Sequence, residues 1–449
     1  MKMEEKIQVQ SEENLPSIEY TLRPITYVSW LLGVGVAHPR KCPKSVTIII
    51  RIIHLALCSI SLIYYLIEFF DSGYNFKGEA DVYTCLRFMR IVISHVSTFY
   101  YIYQIIGQYD KWPELMDKMK EVNEKIRREI PINDRPIKNM EVLAILATFT
   151  CCFLGLIVKV LHYYFTGLIK IGINLTVYYI TAQSLINSFV FDVVVYVLYC
   201  RLQAINKLIG QLNELSDTSV VALKIRRTRE MHSDICGLVN MVNDIHNFHL
   251  LLCSLTCLAM LVSELFRIYT LIEAGENIFN LKVIIISILY FTQFGVMCWI
   301  CTLARREADN TVKIINKIAL NFKHVNLELK ERSSQSNLEM QTSVEDPNSG
   351  QNSIWSSSHY LNDVTIENQR KNLNRDSIRN EINDFLTQLQ YCQVVFTAYD
   401  FFEINNGLFG AFIGVIVGYL TLCMQFYEPF QLMIGTACVN CNCNLMLQK

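Results

Sequence analysis

The chain has 449 residues, of which 52% are hydrophobic and 18% are charged, and its mean hydropathy is +0.26. This composition is too apolar for a typical soluble enzyme, a nucleic-acid-binding protein or a disordered scaffold. The net charge of −1 provides no overall electrostatic attraction to nucleic acid. The 16 cysteines include many in apolar runs, which indicates small buried hydrophobic residues rather than a disulfide framework.

The N-terminal part of the chain is polar and then briefly apolar. Because the first 19 residues are polar and charged, we expect no cleaved signal peptide. Residues 25–37 are apolar, but they lie between Pro24 and Pro39 and are too few to cross about 30 Å of hydrocarbon. They predict an interfacial segment.

Long apolar runs predict membrane-spanning helices along most of the chain. About 20 residues in a helix cross the hydrocarbon of a bilayer. Six runs of sufficient length precede the C-terminal region, and a seventh is at Leu408–Phe426. The six runs are 46–70, 86–108, 141–165, 173–200, 248–273 and 282–303. The predicted fold class is therefore an all-α membrane protein with seven transmembrane helices.

Basic residues are distributed unevenly between the predicted connections. If the N-terminus is cytoplasmic, the inside segments contain 31 of the 40 basic residues, and the outside segments contain three. Positively charged loops resist translocation. The distribution therefore predicts a cytoplasmic N-terminus and, with seven spans, an extracellular C-terminus.

Several predicted cytoplasmic segments continue as helices. Charge is mixed with apolar residues at three-to-four spacing in the stretches 111–129, 201–215, 224–246 and 305–331. Their apolar faces fit intramolecular packing and subunit assembly equally well.

The predicted organisation is an N-terminal cytoplasmic segment 1–45, six spans in 46–303, a helix extension 304–332, a flexible linker 333–376, a cytoplasmic half-helix 377–404, a membrane helix 405–427 and an extracellular tail 428–449 that we expect to be atypical.

The last membrane helix has the most specific pattern. Gly410, Gly414 and Gly418 are four residues apart and lie on one helical stripe. In lipid, such a stripe permits close approach of backbones, and packing within one bundle is its simplest explanation. Gln425 is costly to expose to lipid, so we expect it to face protein or water.

The C-terminal segment resembles the signature of insect gustatory receptors, which is Thr-Tyr, five mostly apolar residues and Gln-Phe. Tyr419, the residues Leu420–Met424, Gln425 and Phe426 match in register, while Gly418 stands where the family has threonine. The resemblance implies a tetrameric, ligand-gated, non-selective cation channel with a cytoplasmic N-terminus. It also implies that the last helix is split at about 405–407, that its outer half lines the pore, and that the cytoplasmic helix extensions form a shared anchor.

From these patterns we predict residues for the pore. The resemblance places Gln425 and Phe426 at the outer gate, and the pore and gate residues are Tyr419, Thr421, Leu422, Gln425 and Phe426. Because the helix has no strongly ionisable side chain, ion preference must come from its mouths. The predicted mouth residues are the carboxylates Asp400, Glu403 and Glu428, which favour cations.

A ligand site is predicted in the outer halves of the preceding helices, where aromatic and polar side chains are frequent. The candidates are Ser94, His95, His162, Tyr163, Tyr178, Thr181, Gln183, Glu264, Arg267, Tyr290 and Gln293. For each, the competing interpretation is an ordinary structural role. Glu264 and Arg267, three residues apart, can pair with each other. Asp192 and His54 are interpreted as bonding to neighbouring helices.

The resulting hypothesis is a gustatory receptor channel in the plasma membrane of a sensory neuron. Its expected partners are a small-molecule tastant, the lipid bilayer and other receptor subunits in a homo- or hetero-tetramer, with no nucleic acid, no cofactor and no metal. An enzyme is not expected, because no nucleotide-binding or hydrolase motif is found. An olfactory-type receptor channel is a close alternative, and a metabotropic seven-helix receptor or a transporter is more distant.

Overall fold

The computed structural model describes residues 18–73, 80–166, 171–212, 218–273, 281–342 and 375–425. These ranges consist mostly of helices. In chain order, nine are α1 (Ile18–Thr21), α2 (Arg23–Leu31), α3 (Lys44–Gly73), α4 (Ala80–Gly107), α5 (Lys111–Glu129), α6 (Arg135–Thr166), α7 (Ile171–Gln211), α8 (Thr218–Glu273) and α9 (Leu281–Thr342). Then follow α10 (375–391), strands β1 (Thr397–Ala398) and β2 (Phe402–Glu403), and α11 (Asn406–Gln425).

Helices occupy all the predicted spans in the described residues. Five described stretches are both long and apolar enough to cross a membrane, and they lie in α3, α7, α8, α9 and α11. The spans predicted at 86–108 and 141–165 coincide with α4 and α6, which have 28 and 32 residues. The chain is thus a helical protein with several membrane-spanning helices, and the number seven and the sidedness stay predictions.

Three helices are much longer than a bilayer requires. Helices α7, α8 and α9 have 41, 56 and 62 residues, which at a rise of about 1.5 Å per residue is roughly 60, 85 and 90 Å. Because the hydrocarbon core is about 30 Å thick, their charged ends must extend beyond it. The stretches predicted to continue as helices, 111–129, 201–215, 224–246 and 305–331, are helical wherever the structure describes them. Helix α5 begins and ends at the predicted residues.

Helix α7 forms the centre of the bundle. In its candidate span 83% of the residues are buried, whereas the value for the last helix, α11, is 11%. Side chains such as Leu185, Phe191 and Val195 are fully buried, and α7 contacts α6, α8 and α9. The bundle therefore surrounds α7, and α11 lies at its edge.

The short apolar segment near the N-terminus forms α2 and a buried loop. Gly33 and Gly35 adopt φ values of +74° and +66°, which glycine accepts at little cost. A Cβ atom on Gly33 would lie 2.0 Å from the His54 ring, and one on Gly35 would lie 2.3 Å from Asn187 Oδ1. The loop therefore packs directly against α3 and α7.

The region before α11 differs from the prediction in two ways. The predicted half-helix 377–404 ends at residue 391 and is followed by a β-hairpin. Tyr399 and Asp400 at its tip have φ values of 53° and 58°, a left-handed turn that ends any helix. In addition, α9 continues to Thr342, so residues 333–342 of the predicted flexible linker are helical, and its residues 343–374 lie outside the described residues.

Asp134 joins three helices at the charged end of the bundle. It precedes α6, accepts a hydrogen bond from Arg127 of α5 and lies 2.6 Å from the guanidinium of Arg201 on α7. The Arg201 side chain is only 2% exposed. Its charge is therefore compensated within the protein and not by water.

We expect Asp134→Ala to lower the free energy of unfolding by about 3–5 kcal/mol, because Arg201 would keep a buried charge without its carboxylate. The measurement is thermal unfolding of the purified protein in detergent. Glu124→Ala is the matched control, since Glu124 and Lys120 are both more than half exposed and 3.9 Å apart, and an exposed pair contributes about 0–1 kcal/mol. Equal effects of the two substitutions would show that the Asp134 cluster adds little stability.

Candidate functional site

One face of α11 packs on the bundle. The rings of Phe412 and Phe294 of α9 have centroids 4.2 Å apart, and Phe409 lies beside Phe291 of α9 at 5.1 Å. Ile416, one turn after Phe412, is also buried. This apolar face fixes the rotation of α11 about its own axis.

The opposite face of α11 is exposed along its whole length. Gly410, Gly414, Gly418, Thr421 and Gln425 are all exposed, and among the described residues no atom beyond the helix's own adjacent backbone lies within 4 Å of a Cβ added at any of the three glycines. We call these five residues the exposed stripe. Packing within one bundle therefore has no partner for these glycines among the described residues, and their role stays a prediction.

The predicted gate residues lie on or beside this stripe. Tyr419 and Leu422 are about half exposed, and the Thr421 hydroxyl donates to the Val417 carbonyl within the helix. Phe426 and Glu428 lie outside the described residues. The structure therefore brings four of the five gate residues to one end of α11, away from the bundle.

Residues 392–405, which we call the connector, join α10 to α11. The side-chain amide of Asn243 on α8 forms two hydrogen bonds with the connector backbone, as a neighbouring β-strand would. The Nδ2 atom of Asn243 donates to the Val395 carbonyl at 2.8 Å, and its Oδ1 atom accepts from the Thr397 amide at 3.3 Å. The connector hairpin is also closed by a bond from the Ile404 amide to the Phe396 carbonyl. A single amide side chain thus aligns the connector with α8.

Helix α9 holds the other end of the connector. Arg305 pairs with Glu403, and the Thr302 hydroxyl accepts from the Asn406 amide at 2.9 Å. Asn405 accepts from the Leu408 amide at 2.9 Å and so caps α11. The break that the resemblance implied at 405–407 is in fact the whole connector, and Asn405 starts the helix after it.

The two described mouth carboxylates differ in their electrostatic effect. Asp400 is exposed at the hairpin tip and accepts from the Thr397 hydroxyl at 3.0 Å. Glu403 is paired with Arg305, so much of its charge is compensated. Asp400 is therefore the stronger source of negative potential at this end of α11.

Four of the predicted ligand-site residues are brought together inside the bundle. Tyr290 of α9 lies beside Thr181 of α7 and near Arg90 of α4, and Arg90 pairs with Glu264 of α8. Gln293 is one turn after Tyr290 and only 2% exposed, and its Nε2 lies 3.7 Å from Cys253 Sγ. We call Thr181, Glu264, Tyr290 and Gln293 the interior cluster. Arg90 was missed from the sequence, because its partner is 174 residues away.

The other candidates lie in different places. Gln183 donates to the Leu32 carbonyl at 2.7 Å and thus supports the buried N-terminal loop. His95 lies between α3 and α4, with its Nε2 3.2 Å from the Ser61 hydroxyl. Ser94 and Arg267 are half-buried, Tyr178 is buried, and the side chains of His162 and Tyr163 lie outside the described part of the chain. His54 contacts Tyr179 of α7, which confirms its structural interpretation.

Two buried polar side chains near the connector differ from the prediction, in which Asp192 bonded to a neighbouring helix and His246 had no assigned role. The Asp192 carboxylate and both ring nitrogens of His246 are buried without a hydrogen-bond partner among the described residues. The rings of His246 and Phe191 are 5.4 Å apart, and Phe191 lies 5.9 Å from Phe396 of the connector. The sequence contains a signal for His246, because His246 and His249 are three residues apart on one helix face.

Comparison with known proteins identifies relatives at the level of family and fold. Residues 22–348 and 348–428 match the family of 7tm chemosensory receptors. The structure of the insect olfactory receptor OR5 from Machilis hrabei is similar, with a TM-score of 0.58 and 11% identity over 90% of this chain and 97% of that chain. The complex of that receptor with eugenol gives a TM-score of 0.56 and 10% identity over the same shares. No curated protein matches the chain.

We expect Asn243→Ala to lower the free energy of unfolding by about 1–3 kcal/mol, because the Val395 carbonyl and the Thr397 amide would both lose their partner. Thermal unfolding in detergent measures the change. Asn310→Ala removes an exposed amide whose described bond is a long one of 3.5 Å to Glu307, so this control should change stability by less than about 0.5 kcal/mol. Similar losses in both variants would mean that Asn243 does not hold the connector.

Proposed function

Because the chain belongs to the family of 7tm chemosensory receptors, we propose that it is a gustatory receptor that forms a tastant-gated, non-selective cation channel in the plasma membrane. In this proposal four subunits place their α11 helices around one central pore. A small molecule bound at the interior cluster of each subunit opens the pore. The charged helix ends and the N-terminus lie in the cytoplasm.

The exposed stripe on α11 is the observation that carries the proposal. In an isolated chain this face would meet lipid, where an exposed glutamine is costly and glycines gain no packing partner. Symmetry-related copies of the helix remove both costs by surrounding a shared aqueous axis. Walls without ionisable groups, together with Asp400 at one mouth, favour cations without selecting strongly among them.

The interior cluster is joined to α11 through consecutive residues of α9. Gln293 points into the bundle and is buried, whereas the next residue, Phe294, packs on Phe412 of α11 at 4.2 Å. A small rotation or shift of α9 on ligand binding therefore moves the surface on which α11 rests. The same helix also carries Thr302 and Arg305, which hold the base of α11.

Gating follows from a difference in affinity between two states. A ligand that binds the interior cluster more tightly when α9 has shifted favours the open state by that difference. To move the equilibrium from 1:99 to 99:1 the ligand must bind the open state about 10⁴-fold more tightly over all sites. The buried cluster, with the Arg90–Glu264 ion pair, a phenol and an amide, has the small number of hydrogen-bonding groups that is typical of a small-molecule site.

An olfactory-type ligand is the second candidate. OR5 of Machilis hrabei shares the fold and was determined in complex with eugenol. The Tyr-x5-Gln-Phe sequence at Tyr419–Phe426 favours the gustatory assignment. A panel that contains sugars, bitter alkaloids, amino acids and volatile aromatics distinguishes the two candidates.

Expression of the full chain in oocytes, with this ligand panel, tests the channel. We expect a ligand-evoked current that reverses near zero millivolts, and we expect Gln425→Ala or Phe426→Ala to change its size or ion preference. A surface-expressed protein that gives no current with any ligand, alone or with other receptor subunits, would contradict the proposal. Labelling of an N-terminal tag from outside intact cells would contradict it as well.

We expect Gly414→Leu to abolish the current while surface expression stays normal. A leucine at this position has space in the isolated chain, but it would obstruct close approach of neighbouring α11 helices or the pore between them. Gly107→Leu is the matched control, because Gly107 of α4 is another exposed helical glycine and, among the described residues, no atom lies within 4 Å of a Cβ added there. Normal currents in Gly414→Leu would show that the exposed stripe does not surround the pore.

We expect Phe294→Ala to shift the ligand concentration for half-maximal current at least fivefold, since the packing that links α9 to α11 would be lost. Ile288→Ala removes a side chain of α9 that is 58% exposed, so it should leave the dose-response curve unchanged. Concentration-response measurements on cells with matched surface expression check both. Identical curves for the two variants would exclude Phe294 as the link.

A further inference from the structure

A cavity of about 280 Å³ lies at the charged end of the bundle, on the side of α3 opposite to the predicted extracellular end. Its walls come from α1, α2, the loop before α3 and the start of α5, and they include Arg23, Tyr27, His38, Lys41 and Trp112. None of these residues belongs to the interior cluster or to α11. The cavity is therefore separate from the proposed ligand site and pore.

The charged side chains at this cavity have a small net positive charge. Glu19, which lines the cavity, and Asp117 both pair with Arg40, at 3.0 Å and 2.6 Å, so these three groups leave one negative charge against the two positive charges of Arg23 and Lys41. Arg23 and Lys41 are exposed, and the Arg23 guanidinium lies over the Tyr27 ring at 5.4 Å. Burial lowers the pKa of His38, which leaves its ring neutral at pH 7. Arg23 and Lys41 thus provide the positive charge for an anion.

The cavity lies where the chain changes from polar to membrane-spanning. The apolar span of α3 begins at Lys44, three residues after Lys41. Leu31, Val46 and Ile49 are large apolar side chains that stay exposed in the same part of the structure, as expected of a surface that meets acyl chains. Tyrosine and tryptophan beside the basic residues are typical of the headgroup level of a membrane.

From this arrangement we propose that the cavity binds the phosphate-bearing headgroup of an anionic phospholipid from the predicted cytoplasmic leaflet. Arg23 and Lys41 contact the phosphate, and Tyr27 and Trp112 line the apolar part of the headgroup site. The volume is close to the lower limit of about 300 Å³ for small-molecule pockets, which fits a headgroup and not a whole lipid. The acyl chains then lie along the exposed apolar residues of α2 and α3.

The test uses the full chain purified in detergent and measures its melting temperature as dioctanoyl phosphatidylinositol 4-phosphate is added. We expect a saturable rise with this lipid and none with dioctanoyl phosphatidylcholine. Inorganic phosphate and free inositol phosphate at the same concentrations distinguish a soluble anion from a lipid. A rise of equal size and affinity with either soluble anion would overturn the assignment to a phospholipid.

Variants locate the site. Because each basic residue contributes about 1 kcal/mol of attraction to anionic lipid, we expect R23Q/K41Q to weaken binding at least tenfold. K313Q/K317Q removes the same charge from exposed lysines of α9 and should bind like the unchanged protein. The single variant K41Q alters one exposed side chain, so it tests the site even if the double variant folds poorly, and we expect it to bind about fivefold more weakly. Unchanged affinity in K41Q and R23Q/K41Q would disprove the site.

Discussion

The attachment of the connector to α8 and α9 is the constraint on which the rest of the arrangement depends. Helix α11 buries only 11% of its span against the bundle, so its apolar face gives limited control over its position. The Asn243 amide and the Arg305–Glu403 pair hold its base. Because these contacts are polar and directional, they fix both the height and the direction in which α11 leaves the bundle. They thus determine which face of α11 is left exposed.

The two helices that hold the connector also carry three of the four residues of the interior cluster. Glu264 and Asn243 are on α8, and Gln293 and Arg305 are on α9. Such long helices are stiff, so a shift at one level is transmitted to the next without a separate linkage. His246 lies between these two levels, and its ring contacts Phe191, which in turn contacts Phe396 of the connector. Polar atoms buried without partners are costly to maintain, so a rearrangement that gives the His246 ring a hydrogen-bond partner would lower the free energy.

The sequence predicted the helices well and the tertiary contacts poorly. Long apolar runs and the mixed pattern at 111–129 depend only on local periodicity, and α3 to α9 and α11 follow them. The spacing of the glycines and Gln425 along α11 is visible in the chain itself, and the structure leaves these residues exposed, while their place in a pore stays a prediction. The hairpin was missed, since the polar partner of Val395 and Thr397 is Asn243, about 150 residues earlier. In the same way Arg90 could not be assigned to Glu264 from local pattern.

The buried N-terminal loop has a consequence for the order in which the protein is built. Leu32 receives its hydrogen bond from Gln183, which is 151 residues later in the chain, and Gly35 lies against Asn187 of the same helix. A ribosome must therefore complete α3, α4, α5 and α6 before the surface that receives this loop exists. During that interval the first apolar segment can contact α3 but lacks its partners on α7, and we expect it to be a binding site for chaperones in the newly made chain.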